Sequence, residues 1–187
     1  MAPARRRRPS RHAARPRAAP RLPAAKPLGF YSYTVGDVMS RPAITVGPAD
    51  ALRLACARLS QRGISGLPVV GATGHVVGVL SQKDVLRCLQ EKAGLRLPGG
   101  LFDLLLDAEE ARRSDLLPAC RAVLDGTPVE DAMTPEPVTV EAGASIEEAV
   151  RLLLARKVNR LPVLRRGKLV GIVTRHDLLA GLGPSGG

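Results

Sequence analysis

Past residue 33 the chain is written twice. Thr34–Leu52, TVGDVMSRPAITVGPADAL, aligns with Pro128–Ile146, PVEDAMTPEPVTVEAGASI, at a constant offset of 94. Gly63–Val70 (GISGLPVV) aligns with Lys157–Leu164 (KVNRLPVL) at the same offset. After a one-residue deletion, Gly74–Leu86 (GHVVGVLSQKDVL) aligns with Gly167–Leu179 (GKLVGIVTRHDLL) at an offset of 93. Three blocks in one order exclude chance similarity and restrict the fold to two copies of one unit. A unit of about 55–60 residues buries little surface alone, so the copies are expected to pack together through their exposed sheet faces.

Both units follow one plan. Each opens on a one-turn helix. Thr127 caps it in the second unit, with Pro128 in the first helical position and Glu130 completing a capping box, and Thr34 and Asp37 form a weaker version. A short extended piece follows, residues 43–46 or 138–140. The next helix carries an apolar stripe, Leu52, Ala55, Cys56 and Leu59 or Ile146, Ala149, Val150 and Leu153, and Ser145 and Glu148 form a capping box in the second copy. Two strands, 67–70 with 76–80 and 161–164 with 169–173, are joined by hairpin turns GATG and RRG. A last helix starts at Ser81 or Thr174. The fold class expected is α/β (α+β), two β-α-β-β-α units in a pseudo-symmetric pair.

The charge is divided unevenly. Residues 1–27 hold eight Arg and one Lys with no acid, whereas the other 160 residues carry 19 basic and 17 acidic side chains. Residues 1–30 read as a disordered basic tail, Arg, Ala and Pro without an apolar face or a secretory h-region. Nucleic acid is expected to touch the chain at most weakly, through this tail, which has no aromatic interleaving. Aromatics make up only 2% of residues and Trp is absent, so the core must be aliphatic. No apolar run is long enough for a membrane helix. Cys56, Cys88 and Cys120 have no metal-ligand spacing and read as buried small hydrophobes in a reducing, cytoplasmic setting.

Residues 91–126 have no counterpart in the repeat and read as a helical linker of one or two amphipathic helices broken by Pro118, with Leu101, Leu104, Leu105 and Ala108 on one face. The units are assigned to 31–90 and 127–181, and 182–187 to a flexible end.

The stretch GIVTRHDLL places Thr174, His176 and Asp177 close together, as a catalytic relay would. Its echo GVLSQKDVL has Lys83 in place of the histidine, and neighbours on a helix point about 100° apart. Only a hydroxyl at a helix start and an acid one turn later persist, Ser81 with Asp84 and Thr174 with Asp177. The pair makes a capping box, and the carboxylate also suits the hydroxyls of a sugar. No nucleophile elbow, zinc-protease or P-loop pattern is present, and the chain is expected not to be an enzyme.

In the order DVMSRPAITV, LPV, GVLSQKD and again DAMTPEPVTV, LPV, GIVTRHD, the repeat resembles a tandem pair of CBS domains, the cystathionine-beta-synthase-type module. The resemblance covers roughly 60% of the chain. It implies a stand-alone regulatory module with clefts between the sheets for an adenosine-containing ligand (AMP, ADP, ATP or S-adenosylmethionine), with no obligatory cofactor. It also implies a homodimer and a regulated enzyme or transporter in trans. Asp177 and Asp84 would hold ribose. Ser81 and Thr174 would add contacts near the phosphates. Thr45, Val46, Thr139 and Val140 would wall the base, with Val79 and Ile172 beside them. Arg160 would be the best phosphate contact, because in nucleotide-binding relatives basic residues just before this strand reach the phosphates; Gly66 stands at its place in the first unit, and Arg62, Arg165 and Arg166 are weaker candidates. The alternative is a structural or protein-interaction module with degenerate clefts.

Overall fold

The computed structural model describes residues 33–93 and 117–180. The first unit comprises α1 (Val35–Val38), α2 (Leu52–Gln61), β1 (Gly66–Val70), β2 (Val76–Ser81) and α3 (Gln82–Ala93). Helix α4 (Leu117–Gly126) precedes a 3-10 turn, Val129–Asp131, and β3 (Thr134–Pro135). The second unit continues with β4 (Val140–Glu141), α5 (Ile146–Ala155), β5 (Arg160–Arg165), β6 (Lys168–Thr174) and α6 (Arg175–Ala180).

The repeat is visible in the backbone hydrogen bonds. Helix α2 ends in a Schellman motif, in which Gly63 N–H donates to Ser60 O at 3.0 Å and Ile64 N–H to Leu59 O at 3.0 Å. Helix α5 ends alike, with Lys157 N–H on Leu154 O at 3.2 Å and Val158 N–H on Leu153 O at 3.1 Å. Gly63 holds φ +59°, but its counterpart Lys157 holds +53° with a Cβ. Strands β1 and β2 pair antiparallel, as do β5 and β6, each with an irregularity where its turn begins. Ser145 caps α5 by accepting from Glu148 N–H at 3.1 Å, as its sequence predicts. The expected stripes face inward: Leu52, Ala55, Cys56 and Leu59 are buried, as are Ile146, Ala149 and Leu153, with Val150 half-buried. Each buried leucine contributes about 2 kcal/mol of transfer free energy.

The opening segments are exchanged. Val35, Val38 and Met39 of the first repeat lie in the core of the second unit, with Val140, Ile146, Leu161 and Val173. Val129, Ala132 and Met133 of the second repeat pack on the core of the first unit. Val35 N–H donates to Ala144 O at 2.9 Å and Ser40 pairs with Ile172. On the other side Val129 N–H donates to Asp50 O at 2.9 Å, and β3 adds to the edge of β2 with Pro135 opposite Gly78. The thioether of Met133 lies over Gly78 and that of Met39 over Gly171, so that a Cβ on either glycine would collide with sulfur. Each unit therefore has a complete core only in the presence of the other.

One local expectation changes. The Thr127–Glu130 capping box does not form, because Thr127 N–H is the last link of α4, donating to Val123 O at 3.0 Å, and the buried Thr127 hydroxyl accepts from Lys92 Nζ at 3.5 Å. Glu130 N–H is held by Pro48 O at 3.0 Å instead. Pro118 stands in the first described turn of α4, a position that tolerates its missing N–H, and the residues on its N-terminal side lie outside the described ones. Helix α4 packs on α2 and α3 through Cys120 and Leu124, and Arg53 forms an ion pair with Asp125. The face assigned to Leu101, Leu104, Leu105 and Ala108 lies outside the described residues, as do the basic tail and residues 182–187.

Candidate functional site: a basic cleft on the pseudo-twofold axis

The starts of β1 and β5 and of α3 and α6 meet where the repeats face each other. Gln82 N–H donates to Ser65 O at 3.1 Å, and the equivalent Arg175 N–H donates to Asn159 O at 3.3 Å. Between these two closures lies a cleft of about 570 Å³. The first unit lines it with Gly63, Ile64, Ser65, Ser81, Gln82 and Lys83, and the second with Asn159, Arg160, Thr174, Arg175 and His176. Three cationic side chains and a histidine line the cleft, and among the described residues none lining it is acidic. A preformed concave site of this charge suits an anion.

Arg160 crosses the axis. Its Nη2 donates to Ser65 Oγ at 2.9 Å, and its guanidinium occupies the space where a side chain at position 66 would begin. A Cβ on Gly66 would also stand 2.8 Å from Leu80 O. The pseudo-symmetric pair is thus a knob and a hole, and only one of the two positions holds an arginine. The Arg–Gly difference between repeats is the sequence signal for this; the Ser65 partner is not readable from it.

The two hydroxyl–carboxylate pairs are complete capping boxes. Asp84 Oδ2 accepts from Ser81 N–H at 2.9 Å and Ser81 Oγ at 2.6 Å. Asp177 Oδ2 accepts from Thr174 N–H at 2.8 Å and Thr174 Oγ1 at 2.8 Å. Both aspartates are buried, Asp84 at 7% and Asp177 at 1% exposure, behind the hydroxyls that reach the cleft. Their second oxygens differ. Asp84 Oδ1 is paired with Arg87 at 3.1 Å and accepts from Thr134 Oγ1 at 3.4 Å. Asp177 Oδ1 accepts only a long bond from Ser40 Oγ, 3.4 Å, among the bonds described, and Ala180 stands where the repeat would place the arginine. Sequence reasoning missed Arg87, Ser40 and Thr134, although the Arg87–Ala180 difference is legible in the aligned repeats.

The structure brings Ser81, Thr174 and Arg160 onto one cleft and does not bring Thr45, Val46, Thr139 or Val140 there. Val46 is buried and bridges Val69, and Thr45 O accepts from Arg58. Val140 is buried opposite Val163 in a parallel pair, with Thr139 half-buried before it. Val79 pairs with Thr134 and Ile172 with Ser40 at the exchanged edges. Arg62, Arg165 and Arg166 are exposed. His176 is exposed on the cleft wall, and the Thr174–Asp177 bonds close without it. The three cysteines are buried in the first core, where desolvation raises each thiol, Cys56 to about 12. Among the described residues no helix is long and apolar enough to cross a membrane, and no three His, Cys, Asp or Glu side chains group as metal ligands.

Fold and cleft define a class: a pseudo-symmetric pair of α/β units with a basic site on their common axis. The sequence profile of the CBS domain matches residues 35–91 and 129–183. The chain belongs to the CBS-domain family, as a tandem pair. It is 33% identical over 151 residues to the chloroplastic CBS domain-containing protein CBSX2 of Arabidopsis thaliana, a match covering 79% of this chain and 62% of that one. It therefore spans less than two thirds of that relative's length. An uncharacterised protein of Methanocaldococcus jannaschii is 30% identical over 154 residues, 79% of this chain and 90% of its own. A crystal structure of CBSX2 in complex with AMP superposes with a TM-score of 0.58 at 32% identity, covering 80% of this chain and 96% of that one.

Proposed function

We propose that this chain is a regulatory module, not an enzyme, whose basic cleft takes the phosphate of an adenosine-containing ligand and whose response is read by a partner in trans. The observation that carries this is the convergence of Arg160, Lys83, Arg175 and His176 on one cleft, with no carboxylate among the described residues that line it. The similarity to a protein crystallised with AMP supports the adenosine part. Arg160 supplies the fork for phosphate. Asp177 is the ribose acceptor of choice, because Asp84 is already engaged by Arg87. A ribose hydroxyl replaces the long Ser40 bond on Asp177 Oδ1 while Oδ2 keeps capping α6. Freeing Ser40 loosens the exchanged α1 segment from β6, which changes the surface a partner meets.

The alternative, a structural or interaction module, is favoured by one observation: among the described residues no buried side-chain polar atom lacks a partner in the absence of ligand. Calorimetric titration with AMP, ADP, ATP and S-adenosylmethionine separates the two. Saturable binding of one of them is expected, and silence across all four would favour the structural module.

A further inference from the structure

The two buried aspartates have matched partners with one exception. The offset of 93 carries Ser81 onto Thr174, Asp84 onto Asp177 and Gly78 onto Gly171. The offset of 94 carries Met39 onto Met133 and Ser40 onto Thr134 in the exchanged segments. In each copy Oδ2 caps the helix. In each copy Oδ1 accepts a 3.4 Å bond from the exchanged segment, Thr134 Oγ1 on Asp84 and Ser40 Oγ on Asp177. A hydroxyl bond of that length is weak and leaves most of the acceptor capacity of Oδ1 unused. At Asp84 that capacity is taken by Arg87. Its Nη2 lies 3.1 Å from Oδ1 and also donates to Ala132 O at 3.4 Å, in the same exchanged segment. The offset of 93 carries Arg87 onto Ala180, which brings no charge to Asp177.

Exposure alone would favour Asp84 as the ligand site, since it is 7% exposed and Asp177 1%. The partners of Oδ1 act the other way. A ribose hydroxyl is a neutral donor. At Asp177 it exchanges with the neutral hydroxyl of Ser40, like for like. At Asp84 it must exchange with a guanidinium, whose bond to a carboxylate is roughly twice as strong as a neutral one. Water screens this pair only from the arginine side, because the Asp84 side chain is buried while that of Arg87 is half exposed. The phosphate end does not separate the sites. Arg160 starts in the second unit, but its guanidinium lies against Gly66 and Ser65 of the first, and Lys83 and Arg175 line the cleft from either unit.

Resting on the reading of the cleft as an adenosine site, we propose that Arg87 is the built-in occupant of the first of two equivalent sites. Its guanidinium holds Asp84 Oδ1 where a ribose would, so the chain takes one nucleotide, at Asp177, and Arg87 sets which repeat is used.

Calorimetric titration of AMP into the full chain counts the sites. The parent is expected to bind one AMP per chain, Arg87→Ala two, and Arg87→Ala combined with Asp84→Asn one again. The undiminished first site in Arg87→Ala reports that this variant is folded. Ala180→Arg sets a guanidinium three residues after Asp177, as Arg87 follows Asp84. It should weaken the single site about tenfold or more with far-UV dichroism unchanged. Two AMP per parent chain, one per Arg87→Ala chain, or an Ala180→Arg chain that binds as the parent does would each overturn the proposal and leave the adenosine reading standing. Silence of the parent and of Arg87→Ala toward AMP would overturn the proposal, and silence toward ADP, ATP and S-adenosylmethionine as well would overturn the adenosine reading with it.

Discussion

Replacing Asp177 separates what its carboxylate does for α6 from what it does for a ligand. Oδ2 accepts two bonds at 2.8 Å from Thr174, and the Thr174 hydroxyl in turn accepts from Asp177 N–H at 3.2 Å. A bond to a charged acceptor is worth about 1.5–3 kcal/mol. Thr174 is half-buried, so water recovers part of the loss. Asp177→Ala should therefore cost about 2–3 kcal/mol by urea unfolding, the upper part of the range for lost caps. Asp177→Asn keeps an acceptor for Thr174 N–H and turns an amide donor toward Ser40, and should cost about 1 kcal/mol. Nucleotide affinity, by calorimetry, should fall in the Asn variant despite its near-native stability, since a donor now stands where the ribose diol needs an acceptor. A loss below about 0.5 kcal/mol in the Ala variant would refute the capping geometry as a source of stability. Unchanged affinity in the Asn variant would reduce Asp177 to a cap.

Three further outcomes test the fold and its electrostatics. Gly78→Ala and Gly171→Ala should each cost about 1–3 kcal/mol by overpacking against Met133 or Met39, and Met133→Ala should recover part of the first loss in a double-mutant cycle. Cys56 keeps its proton in the folded state up to about pH 12, whereas the unfolded thiol loses it near 9. Its contribution is thus full below pH 9 and declines by about 1.4 kcal/mol per pH unit above it, and Cys56→Ala should flatten that part of the urea-midpoint profile. Lys157→Gly should raise stability by about 1 kcal/mol in urea, because the residue sits at φ +53° where the first repeat has glycine.

The units, their helices and their hairpins were legible because each rests on local pattern: the 3.6-residue stripe of α2 and α5, the GATG and RRG turns, the Ser145 cap. The exchange of opening segments was not. A four-residue helix such as Val35–Val38 shows that it is apolar but not which core receives it, and Met39 meets Gly171 across 132 positions of chain. Thr127 misled because a Thr-Pro start and the end of a preceding helix compete for one backbone, and the local pattern carries no word of Val123. At the site, Arg160 came from the family resemblance, and comparing the repeats with each other showed that Gly66 takes its place in the first unit. Its Ser65 partner did not, since contacts across the axis join residues far apart in sequence. The Arg87–Ala180 asymmetry lay open to the same comparison; it matters only once Asp84 Oδ1 is seen to face that guanidinium.

The phosphate site is tested most directly by titrating AMP and adenosine into the parent and into Arg160→Ala. Loss of one charge-assisted fork is worth about 1.5–3 kcal/mol, roughly a 10- to 150-fold fall in affinity. That fall is expected for AMP alone, with adenosine, which has no phosphate, bound equally by both proteins. An equal fall for adenosine, or AMP binding indifferent to Arg160, would contradict a phosphate held at the axis between the two units.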